Sequence, residues 1–235
     1  MEQQASVIAE IVQAILRAQN TGVTRVGIDG VDGAGKTRFA DGLAQALELQ
    51  GVKAIRASVD GFHHPRAVRY QRGRFSSEGF YRDSYDYACL KRVLLDPLSP
   101  GGSGDYRCAA FDHQTDAPVD AQLQTAKAGE ILVFDGIFLH RPELRAYWDL
   151  SVFLAVGFEQ SIPRLGARDG GSMDPLAQAN RRYVDGQLRY LQDCAPAQAA
   201  TVVVDNNDWS RPQVLRWNAG GMVYPPAPPA RPGAP

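Results

Sequence analysis

Residues 30–37 read Gly-Val-Asp-Gly-Ala-Gly-Lys-Thr, which fits the spacing G-x-x-x-x-G-K-[ST]. Glycines at these positions let the backbone wrap closely enough for successive N–H groups to face phosphate oxygens, and a following helix adds its positive end. Such a loop would engage a nucleotide through Gly30, Asp32, Gly33, Ala34, Gly35, Lys36, Thr37 and Arg38. Lys36 would reach the β- and γ-phosphates and the Thr37 hydroxyl would bind Mg²⁺. Lysine is scarce in this chain, at positions 36, 53, 91 and 127 only, so one inside the motif carries weight.

A phosphate loop implies nucleotide binding and leaves the reaction open. Guanine recognition would need N-K-x-D, and the chain has no Asn-Lys pair. Small-molecule phosphoryl transfer needs acidic groups and mobile arginines at the carboxyl edge of a sheet. Asp60, in Val59-Asp60-Gly61-Phe62-His63-His64-Pro65, could take a proton from an acceptor hydroxyl or hold a water of the Mg²⁺ shell. Asp135, after Ile131-Leu132-Val133-Phe134, suits a second acidic residue near Mg²⁺. Arg164 and Arg168, followed by Asp169-Gly170-Gly171, suit a lid closing on phosphate. Each also has a structural reading: a turn aspartate, a strand-closing aspartate, arginines on a helix surface. His63, His64 and His113 lack a zinc spacing, which leaves acceptor hydrogen bonding or packing.

These residues need a scaffold of alternating elements. Val7, Ile8, Ile11, Val12, Ile15 and Leu16 recur at helical spacing. Strands are predicted over 24–28, 52–59, 131–134, 150–156 and 201–204, and helices over 36–49, 83–95 and 174–192. A short helix is predicted within 118–127, opened by Pro118. Residues 61–82 read as a loop carrying Arg66, Arg69, Arg72, Arg74 and Arg82 against Glu78 alone. The alternation predicts an α/β fold with a parallel sheet flanked by helices.

Composition narrows the classes. The chain has 235 residues, 44% hydrophobic and 22% charged, and a net charge of −1, so no global charge steers it to nucleic acid or an anionic membrane. No apolar run approaches the ~18 residues of a membrane span. Cys89, Cys108 and Cys194 are too far apart for a zinc motif or a disulfide framework, which predicts a reducing, cytoplasmic setting. Residues 1–218 are expected to form one domain with a lid near 159–192, followed by a flexible proline-rich tail over 219–235.

The chain resembles the uridine kinase, phosphoribulokinase and pantothenate kinase group of P-loop kinases over about residues 24–206. The resemblance is carried by Gly30 to Thr37, Asp60-Gly61-Phe62-His63, Tyr106 with Phe111-Asp112-His113, Phe134-Asp135-Gly136-Ile137, Arg164-Leu165-Gly166-Ala167-Arg168-Asp169 and Val203-Val204-Asp205-Asn206. It implies the P-loop NTPase fold and ATP- and Mg²⁺-dependent phosphorylation of a hydroxyl on a small metabolite. Asp60 would be the general base, Arg164 and Arg168 the lid arginines, and Thr37, Asp60 and Asp135 the metal-side groups. His63, Arg82, Tyr106, Asp112 and His113 would contact the acceptor, a nucleoside first, and a homo-oligomer is compatible.

The match departs from the family at three places. Tyr106 is followed by Arg107 where uridine kinases have aspartate, Phe80 stands where they carry a ribose-binding aspartate, and Asp135 replaces a glutamate. Pantothenate, a sugar or another anionic acceptor therefore stays open, the last favoured by the arginines of 66–82. A nucleotide-binding regulatory module without transfer is the alternative from another class.

Overall fold

The computed structural model describes residues 2–218. The stretch 219–235, expected to be a flexible tail, lies outside the described residues.

The sheet is built from β1 (Thr24–Gly30), β2 (Ala54–Ser58), β3 (Ile131–Gly136), β4 (Leu150–Ala155), β5 (Val202–Asp205) and β6 (Gln213–Trp217), in the spatial order β6-β5-β4-β1-β3-β2. All neighbours are parallel except β6, which pairs antiparallel with β5. β1 and β3 are buried along their whole length, as strands covered on both faces must be. This is the expected α/β architecture, with the antiparallel edge strand β6 added.

Helix α1 (Glu2–Ala18) buries Val7, Ile8, Ile11, Val12 and Ile15, and packs beside α2 (Lys36–Leu49) over one face of the sheet. The opposite face is aromatic, with Phe62, Phe80, Phe134, Phe138 and Trp148 in one cluster. There α3 (Ser77–Asp83) lies against a long helix, Gln178–Cys194, later called α5. Gly186 permits the contact, because a Cβ there would fall 2.8 Å from the Phe80 ring. Between them in sequence comes α4 (Phe158–Asp169).

Four local expectations are corrected. Residues 61–82 are not a bare loop, since they hold a turn of helix at Arg66–Arg69 and most of α3. Asp83 ends α3 instead of opening a helix. Asp86 is the cap, accepting from Cys89 N at 2.8 Å, and the following turn widens into a π-helix over Lys91–Leu95. No helix forms within 118–127, where Ala117–Pro118 pairs with Phe111–Asp112 and Gln124–Thr125 pairs with Asp105–Tyr106. Helix α5 starts at Gln178, while Asp174 closes a turn by accepting from Leu176 N at 2.9 Å.

Candidate active site

The loop 31–35 leaves the end of β1 and enters α2 directly. Gly33 and Gly35 hold φ of +75° and +87°, and a Cβ on Gly33 would lie 2.0 Å from Ser161 O, so neither position accepts a side chain without strain. No side chain caps α2, which leaves its first N–H groups without a side-chain acceptor. Three contacts set the loop's shape. Lys36 Nζ donates to Val31 O at 2.9 Å, Asn206 Nδ2 donates to Ala34 O at 2.8 Å, and Asp32 N donates to Gln187 Oε1 at 2.6 Å.

Parallel pairing places Ser58 beside Asp135 at the carboxyl ends of β2 and β3. Asp135, 2% exposed, accepts from the Thr37 hydroxyl at 2.8 Å on one oxygen and from Arg56 Nη2 at 2.9 Å on the other. Arg56 is held in turn by Val133 O at 2.7 Å and by Asp41 at 2.9 Å. Asp60 follows β2 in a helical turn over Val59–Phe62, with its N–H on Ser58 Oγ at 3.3 Å and the Tyr85 hydroxyl 3.5 Å from Oδ1.

Lys36, Thr37, Asp60, Asp135, Asp32 and Arg168 all line one cavity of about 260 Å³. Burial raises the Asp32 carboxyl above its usual range, opposed by Lys36 and reinforced by Asp60. Burial, with Asp60 close by, likewise raises the Tyr85 phenol. Thr37, Asp60 and Asp135 offer oxygen atoms alone, the donor chemistry that Mg²⁺ prefers. Among the described residues no group of three or more His, Cys, Asp and Glu side chains forms a metal site by itself.

A second cavity of about 360 Å³ opens on the other side of the loop. Arg38 lies over the Trp209 ring there, 3.8 Å from its centroid. Arg164 also lines it and donates to the carbonyls of Asn206, at 3.1 Å, and Asn207. Arg168, paired with Asp169 at 2.7 Å, lines both cavities. The two arginines of the lid motif thus face different places: Arg164 is tied to the segment after β5, and Arg168 stands between the cavities.

The acceptor-side expectations divide. His63 lies between Tyr85 and His113 with tilted rings, centroids at 4.5 and 4.6 Å, and its Nδ1 lies 3.0 Å from Asp60 O. Burial pushes the His63 imidazole down to about 4. His63 and His113 sit behind Asp60 and Tyr85 without lining either cavity, and Tyr106, Asp112 and Arg82 are not brought near one. Tyr106 is buried in the aromatic core with its hydroxyl on Gln124, Asp112 caps its own turn at Gln114 N and Thr115, and Arg82 pairs with Glu78 one helical turn away.

Sequence reasoning missed Arg56, Tyr85, Gln187 and Trp209. It also missed a buried polar knot in which Asp29 meets His140 Nδ1 at 2.6 Å and accepts from the Tyr190 hydroxyl, while His140 Nε2 lies 2.9 Å from Ser151 Oγ. That knot ties β1, β4 and α5 together. Tyr183, Gln187 and Tyr190 follow one another at helical spacing, and this was the available signal that a polar stripe on α5 faces inward.

No described helix is long and apolar enough to cross a membrane. The profile of the phosphoribulokinase / uridine kinase family matches residues 25–177. Among solved structures the chain is similar to a possible uridine kinase from Bacillus stearothermophilus, with 25% identity and a TM-score of 0.67 over 83% of this chain and 96% of that one. It also shares the fold of a candidate fructose transport system kinase from Silicibacter sp., at 23% identity, TM-score 0.64, and coverage of 79% and 94%. A phosphoribulokinase from Rhodobacter spheroides shares it at 16% identity, TM-score 0.51, and coverage of 79% and 71%. No curated protein sequence matches the chain.

Proposed function

The chain belongs to the phosphoribulokinase / uridine kinase family, and from that premise we propose that it transfers the γ-phosphate of ATP to a hydroxyl of a small metabolite, a nucleoside being the first candidate. The observation that carries this reading is the single cavity shared by Lys36 and Thr37 of the phosphate loop with Asp60 and Asp135 at the ends of two adjacent strands.

In this reading the protein contributes position and charge. Asp60 accepts the proton of the attacking hydroxyl, and Tyr85 keeps its carboxylate in place. Lys36 leaves Val31 O to meet the phosphates, and Arg168 balances charge on the group in transfer. Arg164 braces the segment 206–207 beside the nucleotide, whose base lies by Arg38 and Trp209. Thr37, Asp135 and Asp60 would hold Mg²⁺, which supplies charge neutralisation on the phosphate oxygens. The lid expected over 159–192 narrows to the end of α4 and the stretch 170–177, because residues 178–192 lie in α5, which packs on α3 and holds the loop through Gln187. Residues 1–218 work as one kinase domain in a cytoplasmic setting.

The test is acceptor-dependent ADP release from ATP and Mg²⁺ with uridine, cytidine and sugars as acceptors. Turnover that disappears in Lys36→Ala supports the reading. ATP binding without turnover on any acceptor would favour the regulatory module instead.

A further inference from the structure

We propose that Asp32 is an acceptor-binding residue: it holds a second hydroxyl of a neutral polyhydroxylated acceptor whose reacting hydroxyl is presented to Asp60. This rests on the kinase reading above and reassigns a residue that the motif placed with the nucleotide.

Two observations separate Asp32 from the nucleotide. Its N–H, which a phosphate loop could offer to an anion, is already taken by Gln187 Oε1 at 2.6 Å. Gln187 is 1% exposed and is itself anchored through Nε2 to Tyr183 O at 2.9 Å, so helix α5 fixes this part of the loop. Asp32 is also absent from the lining of the cavity beside Arg38, Arg164 and Trp209. It lines the other cavity, together with Asp60, Tyr85 and Ile137. The third residue of the phosphate loop thus adds a second carboxylate on the side from which the acceptor enters.

The chemistry of that side selects the acceptor. Asp32 and Asp60 present carboxyl oxygens that accept from hydroxyl donors, while the cations lining the same cavity, Lys36 and Arg168, are assigned above to the transferring phosphate, so a hydroxyl suits this side better than an anion. Four of the five arginines of 66–82, which would otherwise favour an anion, are engaged elsewhere, and the exposed Arg74 lines neither cavity. Arg66 donates its backbone N–H to Asp116 at 2.9 Å and its guanidinium to Gln114 O at 3.1 Å. Arg69 pairs with Asp116 at 3.2 Å, Arg72 with Asp83 at 2.8 Å, and Arg82 with Glu78. Beside Asp60 the cavity is lined by the Tyr85 ring, backed by His63, and not by a further cation.

The experiment compares wild type, Asp32→Asn and Asp32→Ala on neutral acceptors (uridine, cytidine, D-fructose, glycerol) and anionic ones (D-glycerate, pantothenate, ribulose 5-phosphate). Each neutral probe that turns over is also run against its mono-deoxy analogues. The best acceptor should be neutral, and Asp32→Ala should raise its KM ~10-fold or more while the KM for ATP moves less than ~2-fold. Wild type should prefer the full polyol over one deoxy analogue, Asp32→Ala should lose that preference, and Asp32→Asn should fall between. An anionic best acceptor, an effect of Asp32→Ala confined to ATP, or an undiminished deoxy preference would each overturn the assignment while leaving the kinase reading intact. Absence of turnover with every acceptor would overturn both.

Discussion

The Thr37 hydroxyl, on the first turn of α2, donates to Asp135 Oδ2 at 2.8 Å across 98 residues of sequence. Neither residue is positioned by its neighbours in sequence alone. α2 begins where the glycines of the loop turn the chain, and Asp135 is carried to the same edge by its register with β1 and β2. The pair joins the phosphate loop to the acidic edge of the sheet, and Arg56 completes it from β2.

Arg56 is therefore expected to matter although it lines neither cavity. Arg56→Met leaves the Asp135 carboxylate buried without a cation, at a cost of about 2 kcal/mol, the low side of a broken buried pair because Arg56 is a quarter exposed. Denaturant unfolding should register that loss. The Mg²⁺ concentration for half-maximal turnover should shift as well, since Asp135 loses the group that orients it. No change in either quantity would contradict this assignment.

Arg164 and Arg168 should separate in kinetics. Arg168→Ala removes a guanidinium that borders both cavities and should lower kcat ~10-fold or more with little effect on folding. Arg164→Ala frees the carbonyls of Asn206 and Asn207, and should act mainly through the KM for ATP and through thermal stability. Equal effects of the two on kcat would mean that both arginines reach the transferring phosphate in a closed lid.

His63 gives stability an acid limb. Its folded value of about 4 lies below the usual value of 6.5, so between those limits the unfolded chain takes up a proton that the folded chain does not. Stability is complete above pH ~6.5 and falls as the pH drops toward 4. His63→Gln should flatten that fall in urea titrations repeated from pH 7 to pH 4, and an unchanged slope would show that other groups set it.

Much of the site was legible because its chemistry sits in short contiguous runs. The phosphate loop, Asp60 after β2 and Asp135 closing β3 all follow apolar strands whose ends the composition marks. The rest depends on pairs that no local pattern encodes. Arg56 meets Asp135 across 79 residues, and Gln187 meets Asp32 across 155. Pro118 suits the first turn of a helix, yet two-residue strands there have no periodicity to announce them, and pairing with Phe111 decides the conformation. The excess of arginine over 66–82 misled for a related reason. Its counter-charges, Asp83 just past the segment and Asp116 47 residues beyond Arg69, become partners only when the chain folds.

Asp60 acts on the acceptor in the phosphoryl transfer, and Asp60→Asn isolates that role because shape is kept while the carboxylate is lost. Steady-state kinetics with ATP, Mg²⁺ and the best acceptor should show kcat reduced ~100-fold or more with the KM for ATP nearly unchanged. A variant that keeps wild-type kcat would show that Asp60 takes no proton from the acceptor.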